Sequence, residues 1–123
     1  MGFQDSIERI VLQAEHGIAY TGINESGKII GIGGVMLMWE GVGAGWVITS
    51  PLFPRYKVWV HRVIRDIVCE AIKEFKLHRV ESLILESHEV SCRWAERLGF
   101  KKEGLLNSYD RDRNNYYMYA RIE

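Results

Sequence analysis

The chain has 123 residues, 47% apolar and 26% charged, with sixteen basic residues balanced by sixteen acidic ones. That length suits one domain over residues 1–123, and the apolar fraction can build a core without metals or disulfides. The charge balance argues against a dedicated nucleic-acid or membrane-surface binder.

In chain order, Ile7, Ile10, Val11 and Ala14 recur at helical spacing behind Asp5 and Glu8, which fit a capping box, so an N-terminal helix is predicted. Residues 18–23 read as a strand, followed by the turn signal Asn24-Glu25-Ser26-Gly27. A strand from Lys28 to about Trp39 is apolar on both faces and should be central. It is too short to cross a bilayer. After a turn at Gly41-Val42-Gly43, Ala44–Thr49 completes an antiparallel meander. Pro51 and Pro54 delimit a loop, and from Tyr56 to Phe75 Val60, Ile64, Ile67, Ala71 and Phe75 mark a long amphipathic helix. Val80–Leu85 is a compact strand. Val90, Trp94 and Leu98 mark a shorter helix stopped by Gly99. The tail reads as a hairpin, Lys101–Tyr109 and Tyr116–Ile122 around a polar loop, with Tyr116, Met118, Ala120 and Ile122 on one face. Cys69 and Cys92 fall in helices without metal-ligand spacing, so reduced thiols and no metal site are expected. The first six residues carry no signal-peptide pattern, and a cytoplasmic location is expected.

The predicted fold class is α/β, with a strand–helix–strand crossover from Ala44 to Leu85 that demands a parallel pair. Ligands of such sheets bind beyond the carboxyl end of a strand, where a helix N-terminus directs its N–H groups outward. That places the candidate site at Thr49–Val60. Gly31-Ile32-Gly33-Gly34 precedes no helix and so fails as a dinucleotide fingerprint. A bulge or close sheet packing is expected there. Ser87-His88-Glu89 cannot converge on one point, which excludes a hydrolase triad.

The segment Ser87-His88-Glu89-Val90-Ser91-Cys92-Arg93-Trp94-Ala95-Glu96-Arg97-Leu98-Gly99-Phe100, continuing to Glu103-Gly104, resembles the GNAT N-acetyltransferases. Their pattern there is a helix ending in Leu-Gly-Phe with Glu-Gly a few residues on, and the element order from Gly17 to Ile122 is similar too. In its reduced size the chain is similar to small GNAT-like proteins of some tailed phages. The resemblance implies acetyl-CoA as acetyl donor and direct transfer to an amine, on a small molecule or a protein. It implies an acyl arm bonded along a strand at Val47, Ile48 and Thr49, and a pyrophosphate over the start of the long helix. The family's loop there is Gln/Arg-x-x-Gly-x-Gly/Ala. Here Arg55-Tyr56-Lys57-Val58-Trp59-Val60 keeps the Arg and replaces both small residues by valines, which crowd a close backbone approach. The family's tyrosine acid is replaced by Ala95, and its common asparagine by His88. Glu86, His88 and Tyr109 are the candidates left for catalysis, His88 because imidazole is the side chain most often used to move a proton in catalysis.

The valines, Ala95 and a missing first strand also fit a GNAT-shaped binding or structural protein without activity. A second copy could then cover the exposed edge as a homodimer. Binding of single-stranded nucleic acid through Arg55, Tyr56, Lys57, Trp59, Arg62 and Arg65 is the weaker alternative. Trp59 falls on the apolar side of the helix, where core packing accounts for it better.

Overall fold

The computed structural model describes the backbone of residues 7–10 and all of residues 17–123. Its elements are β1 (Ile7–Ile10), β2 (Gly17–Ile23), β3 (Ile29–Trp39), β4 (Val42–Thr49), α1 (Phe53–Glu74), β5 (Arg79–Leu85), α2 (Glu89–Arg97), β6 (Lys101–Leu106) and β7 (Tyr116–Ile122). They form a seven-stranded sheet in the order β1-β2-β3-β4-β5-β7-β6. The predicted α/β class, meander, crossover, second helix and hairpin are all present.

The N-terminal helix is not. Residues 7–10 are a strand, antiparallel to β2 with Ile7 opposite Gly22 and Ile10 opposite Ala19. An apolar pair three residues apart is compatible with either state, and the open edge of β2 offers hydrogen bonds that local spacing does not reveal. Asp5, Val11 and Ala14 lie outside the described residues. The chain therefore does have a strand before β2, and the argument for a homodimer from a missing first strand falls away. Smaller shifts occur at the turns: β4 begins already at Val42, and β6 ends at Leu106.

β2, β3 and β4 run antiparallel, and a register shift between Gly22 and Ile23 accommodates the glycine-rich start of β3. Close packing explains two of those glycines. A Cβ on Gly33 would stand 3.0 Å from the Trp46 carbonyl oxygen, and one on Gly34 would stand 2.1 Å from that of Ile18. The core lies under one face of the sheet. Val35, Val80 and Tyr119 are wholly buried there against Ile67, Val68 and Ala71 of α1 and Cys92 and Ala95 of α2. Tyr20 reaches α1 through a 2.6 Å hydrogen bond from its hydroxyl to Glu70 Oε2. No described helix is long and apolar enough to cross a membrane.

Candidate active site

The crossover joins β4 to β5 in parallel at only three positions, Val42–Arg79, Gly43–Val80 and Ala44–Glu81. Beyond them the strands part. β4 continues to Thr49 against β3, while β5 continues to Leu85 against β7. Alternate N–H and C=O groups of Gly45–Thr49 thus face a gap where a neighbouring strand would otherwise be. The gap is a cavity of about 310 Å³. Gly45, Trp46 and Val47 line it from β4, Ser82–Leu85 from β5, Ile64 and Ile67 from α1, and His88, Ser91, Trp94 and Ala95 from α2.

α1 begins where β4 ends. Its first turn is fixed by the Ser50 hydroxyl, which donates to the Ile29 carbonyl at 2.7 Å and accepts the Leu52 N–H at 3.2 Å. Tyr56 leaves helical values (φ −123°, ψ 15°), which sets the turn Phe53–Arg55 at an angle to the rest of α1. The first turn holds no acidic residue, and Arg55, Lys57, Arg62 and Arg65 are exposed. Such a start favours an anion. The two valines take opposite sides. Val58 is 63% exposed and points to solvent, whereas Val60 is buried. The Trp59 ring lies under the sheet, 3.1 Å from where a Cβ on Gly22 would stand. None of the three side chains lines the cavity between β4 and β5. Trp59 packs in a smaller apolar hollow with Tyr20, Val60 and Val63.

Of the titratable candidates, His88 lines the cavity, and its Nδ1 shares a hydrogen bond with Ser91 Oγ. Glu86 is turned to the β6–β7 connection, where its Oε1 accepts from Asn115 Nδ2 at 3.3 Å and its N–H donates to the Asn115 carbonyl at 3.0 Å. Tyr109 is 54% exposed and stacks edge-on against Tyr116, ring centroids 5.5 Å apart. Neither Glu86 nor Tyr109 lines the cavity. The structure thus brings His88 together with Val47 and leaves Glu86 and Tyr109 on the hairpin side.

Three lining side chains escaped the sequence reading. Ser91 sits one helical turn after His88, a spacing that puts both on one face of α2. The Trp94 indole N–H donates to His61 Nδ1 at 3.0 Å, which fixes the His61 tautomer with its proton on Nε2 and ties α2 to α1. Phe53 adds a ring contact to Trp94 at 5.9 Å. Ser82 was hidden inside a strand read only as core. The helix stripe did mark Trp94, but nothing in it separates a cavity wall from a packed interior.

Comparisons with known proteins place this geometry. No protein-family model matches the chain, and no curated protein matches it in sequence. Solved structures do match. The ribosomal-protein-S5-alanine acetyltransferase of Vibrio fischeri is similar with a TM-score of 0.76 and 18% identity, over 86% of this chain and 61% of its own. A variant of the spermidine N-acetyltransferase SpeG of Vibrio cholerae is similar with a TM-score of 0.75 and 13% identity, over 89% of this chain and 68% of its own. The chain therefore spans about two thirds of the length of these structures. It has the fold of the GNAT acetyltransferases.

Proposed function

We propose that the protein transfers an acetyl group from acetyl-CoA to an amine. The observation that carries this reading is the parting of β4 from β5 after three paired positions, with a cavity opened between them and walled on the helix side by Ile64, Ile67 and Val68 of α1. An extended acyl arm can bond along Val47, Ile48 and Thr49 as a substitute strand. The pyrophosphate would lie at Arg55, Tyr56, Lys57, Val58, Trp59 and Val60, held by helix-start amides and the Arg55 and Lys57 charges. The exposed Val58 and the inward-turned Trp59 leave that approach open.

Acetyl-CoA supplies the thioester. The amine lone pair forms the C–N bond as C–S breaks, and each amide formed releases one CoA thiol, with the surplus proton leaving the nitrogen. N–H groups of β4 can polarise the carbonyl. His88 is assigned the proton. With Nδ1–H donated to Ser91 Oγ, its Nε2 lone pair is the acceptor. Glu86 and Tyr109 are the remaining candidates, and the hairpin must move for either to act. Ala95 supplies no acid, so the departing sulfur takes its proton from solvent.

Calorimetry with acetyl-CoA and a CoA-release assay over an amine panel test the reading together. Binding, turnover and a fall in kcat of roughly 10²-fold or more in His88→Ala are expected. Absence of acetyl-CoA binding at millimolar concentration would refute it.

A further inference from the structure

Residues of both faces of the sheet line the cavity, and the face away from α1 and α2 carries no described helix. Partner positions in a sheet share a face. Register therefore puts Trp46 beside Gly34, Ile48 beside Ile32, Met36 beside Ala44 and Leu83 beside Met118, all on the face turned away from α1 and α2. On that face Ile48 stays 61% and Leu83 38% exposed. Gly45, Val47 and Ser82 line the cavity from the helix side, while Trp46, Leu83 and Leu85 line it from the other. The gap thus has the middle of α1 on one side and an apolar apron on the other.

The charges around this gap are distinctive. Among the described residues neither Asp nor Glu lines it. The strands that border the gap, β4 and β5, carry one carboxylate, Glu81, and Arg79 holds it at 2.9 Å while also pairing with Glu103 at 2.7 Å. A polycation entering from this side would bring ammonium groups to apolar side chains with no counter-charge, a costly arrangement. An apolar body gains contact there instead. The same surroundings lower the pKa of an ammonium group and favour the neutral, nucleophilic amine. This compensates for the lack of a carboxylate base.

We propose that the acceptor is a small primary amine on an apolar body, a proposal that rests on the transferase reading above. It reaches the gap from the helix-free face, its body against Trp46, Ile48 and Leu83 and its nitrogen directed toward His88 and Ser91.

The test compares kcat/KM for 2-phenylethylamine and spermidine on the full chain, with acetyl-CoA calorimetry on the same preparation. Phenylethylamine is expected to exceed spermidine at least tenfold. Leu83→Glu should reduce that ratio at least tenfold, whereas Leu83→Gln, which adds no charge, should keep the preference. Spermidine turned over as well as phenylethylamine overturns the proposal and spares the transferase. So does acetyl-CoA binding without acetylation of either amine. No acetyl-CoA binding overturns both.

Discussion

Gly45 offers a substitution that separates the site from the fold. It lies on β4 one position past the last residue paired to β5, and it lines the cavity. A Cβ there would meet only Val80 Cγ1 at 3.7 Å and the Glu81 oxygen at 3.9 Å, both ordinary contacts. Gly45→Val should therefore fold. Replacing glycine in an extended segment removes unfolded-state freedom worth about 0.4–1 kcal/mol, so the melting midpoint should rise by about 1–5 °C. The isopropyl group projects into the gap where the acyl arm is proposed to lie. An intrusion of that size costs about 1–3 kcal/mol, which weakens acetyl-CoA binding by about 5- to 150-fold. Gly43→Ala is the counterpart. Its Cβ would stand 2.7 Å from Val35 Cγ1 and 3.1 Å from Leu77 Cδ1 in the packed core. It should lower the midpoint by several degrees while the folded fraction keeps its affinity. Thermal melts and calorimetry on the two variants read both quantities. Undiminished binding by a stable Gly45→Val protein would refute the placement of the arm.

Three further outcomes follow from the polar contacts. Burial pushes the Tyr119 phenol well above its usual range, aided by its 3.0 Å hydrogen bond to Glu96 Oε2. A raised pKa means the folded state holds the proton more tightly, so this stability is complete below about pH 10 and lost as pH climbs further. Tyr119→Phe should cost about 0.5–1.5 kcal/mol at neutral pH and flatten the alkaline limb of a stability–pH curve. The hydrogen bond from Arg79 holds the Glu103 carboxyl below its ordinary value. Its contribution is present above the usual glutamate range and disappears as pH falls through the lower folded value. Carboxyl NMR titration should show that depression in the native protein and its loss in Arg79→Met. In the β6–β7 loop, the Asn114 side chain and then its backbone N–H lower the Asp110 pKa, and Asp110 in turn raises that of Tyr116. Asp110→Ala should accelerate amide exchange at Asp112 and Asn114 and bring the Tyr116 phenol back toward its usual titration.

Periodicity made most of the sheet legible because each element buries one face. Val60, Ile67 and Ala71 mark the buried stripe of α1, and Leu98-Gly99 marks the stop of α2, with Gly99 at φ +91°. The stretch Ile7–Ile10 was illegible because its state depends on a partner strand rather than on its own spacing. The cavity was illegible for a related reason. Gly45, Trp46 and Val47 read as a strand whether or not β5 pairs with them, and no local pattern records that two strands diverge after Ala44. That a gap should open beside the carboxyl-end half of β4 could be expected from crossover topology alone. Its walls could not, since Ser82, Ser91 and Trp94 become wall residues only once the strands have parted.

The two valines show why a motif departure need not close a site. Glycine is required in a phosphate loop where a Cβ would stand between amide and ligand. At a helix start, however, N–H groups point along the axis while side chains project outward from it. Val58 and Val60 lie two positions apart and so fall on well-separated sides of α1, one to solvent and one to the core. Branched side chains then cost helix propensity of a few tenths of a kcal/mol each, and the packing of Val60 and Trp59 beneath β2 and β3 offsets that cost. On the proposed reading anion affinity at this helix start would rest on Arg55, Lys57 and the helix dipole, so it should fall with ionic strength more steeply than binding in a glycine-lined loop.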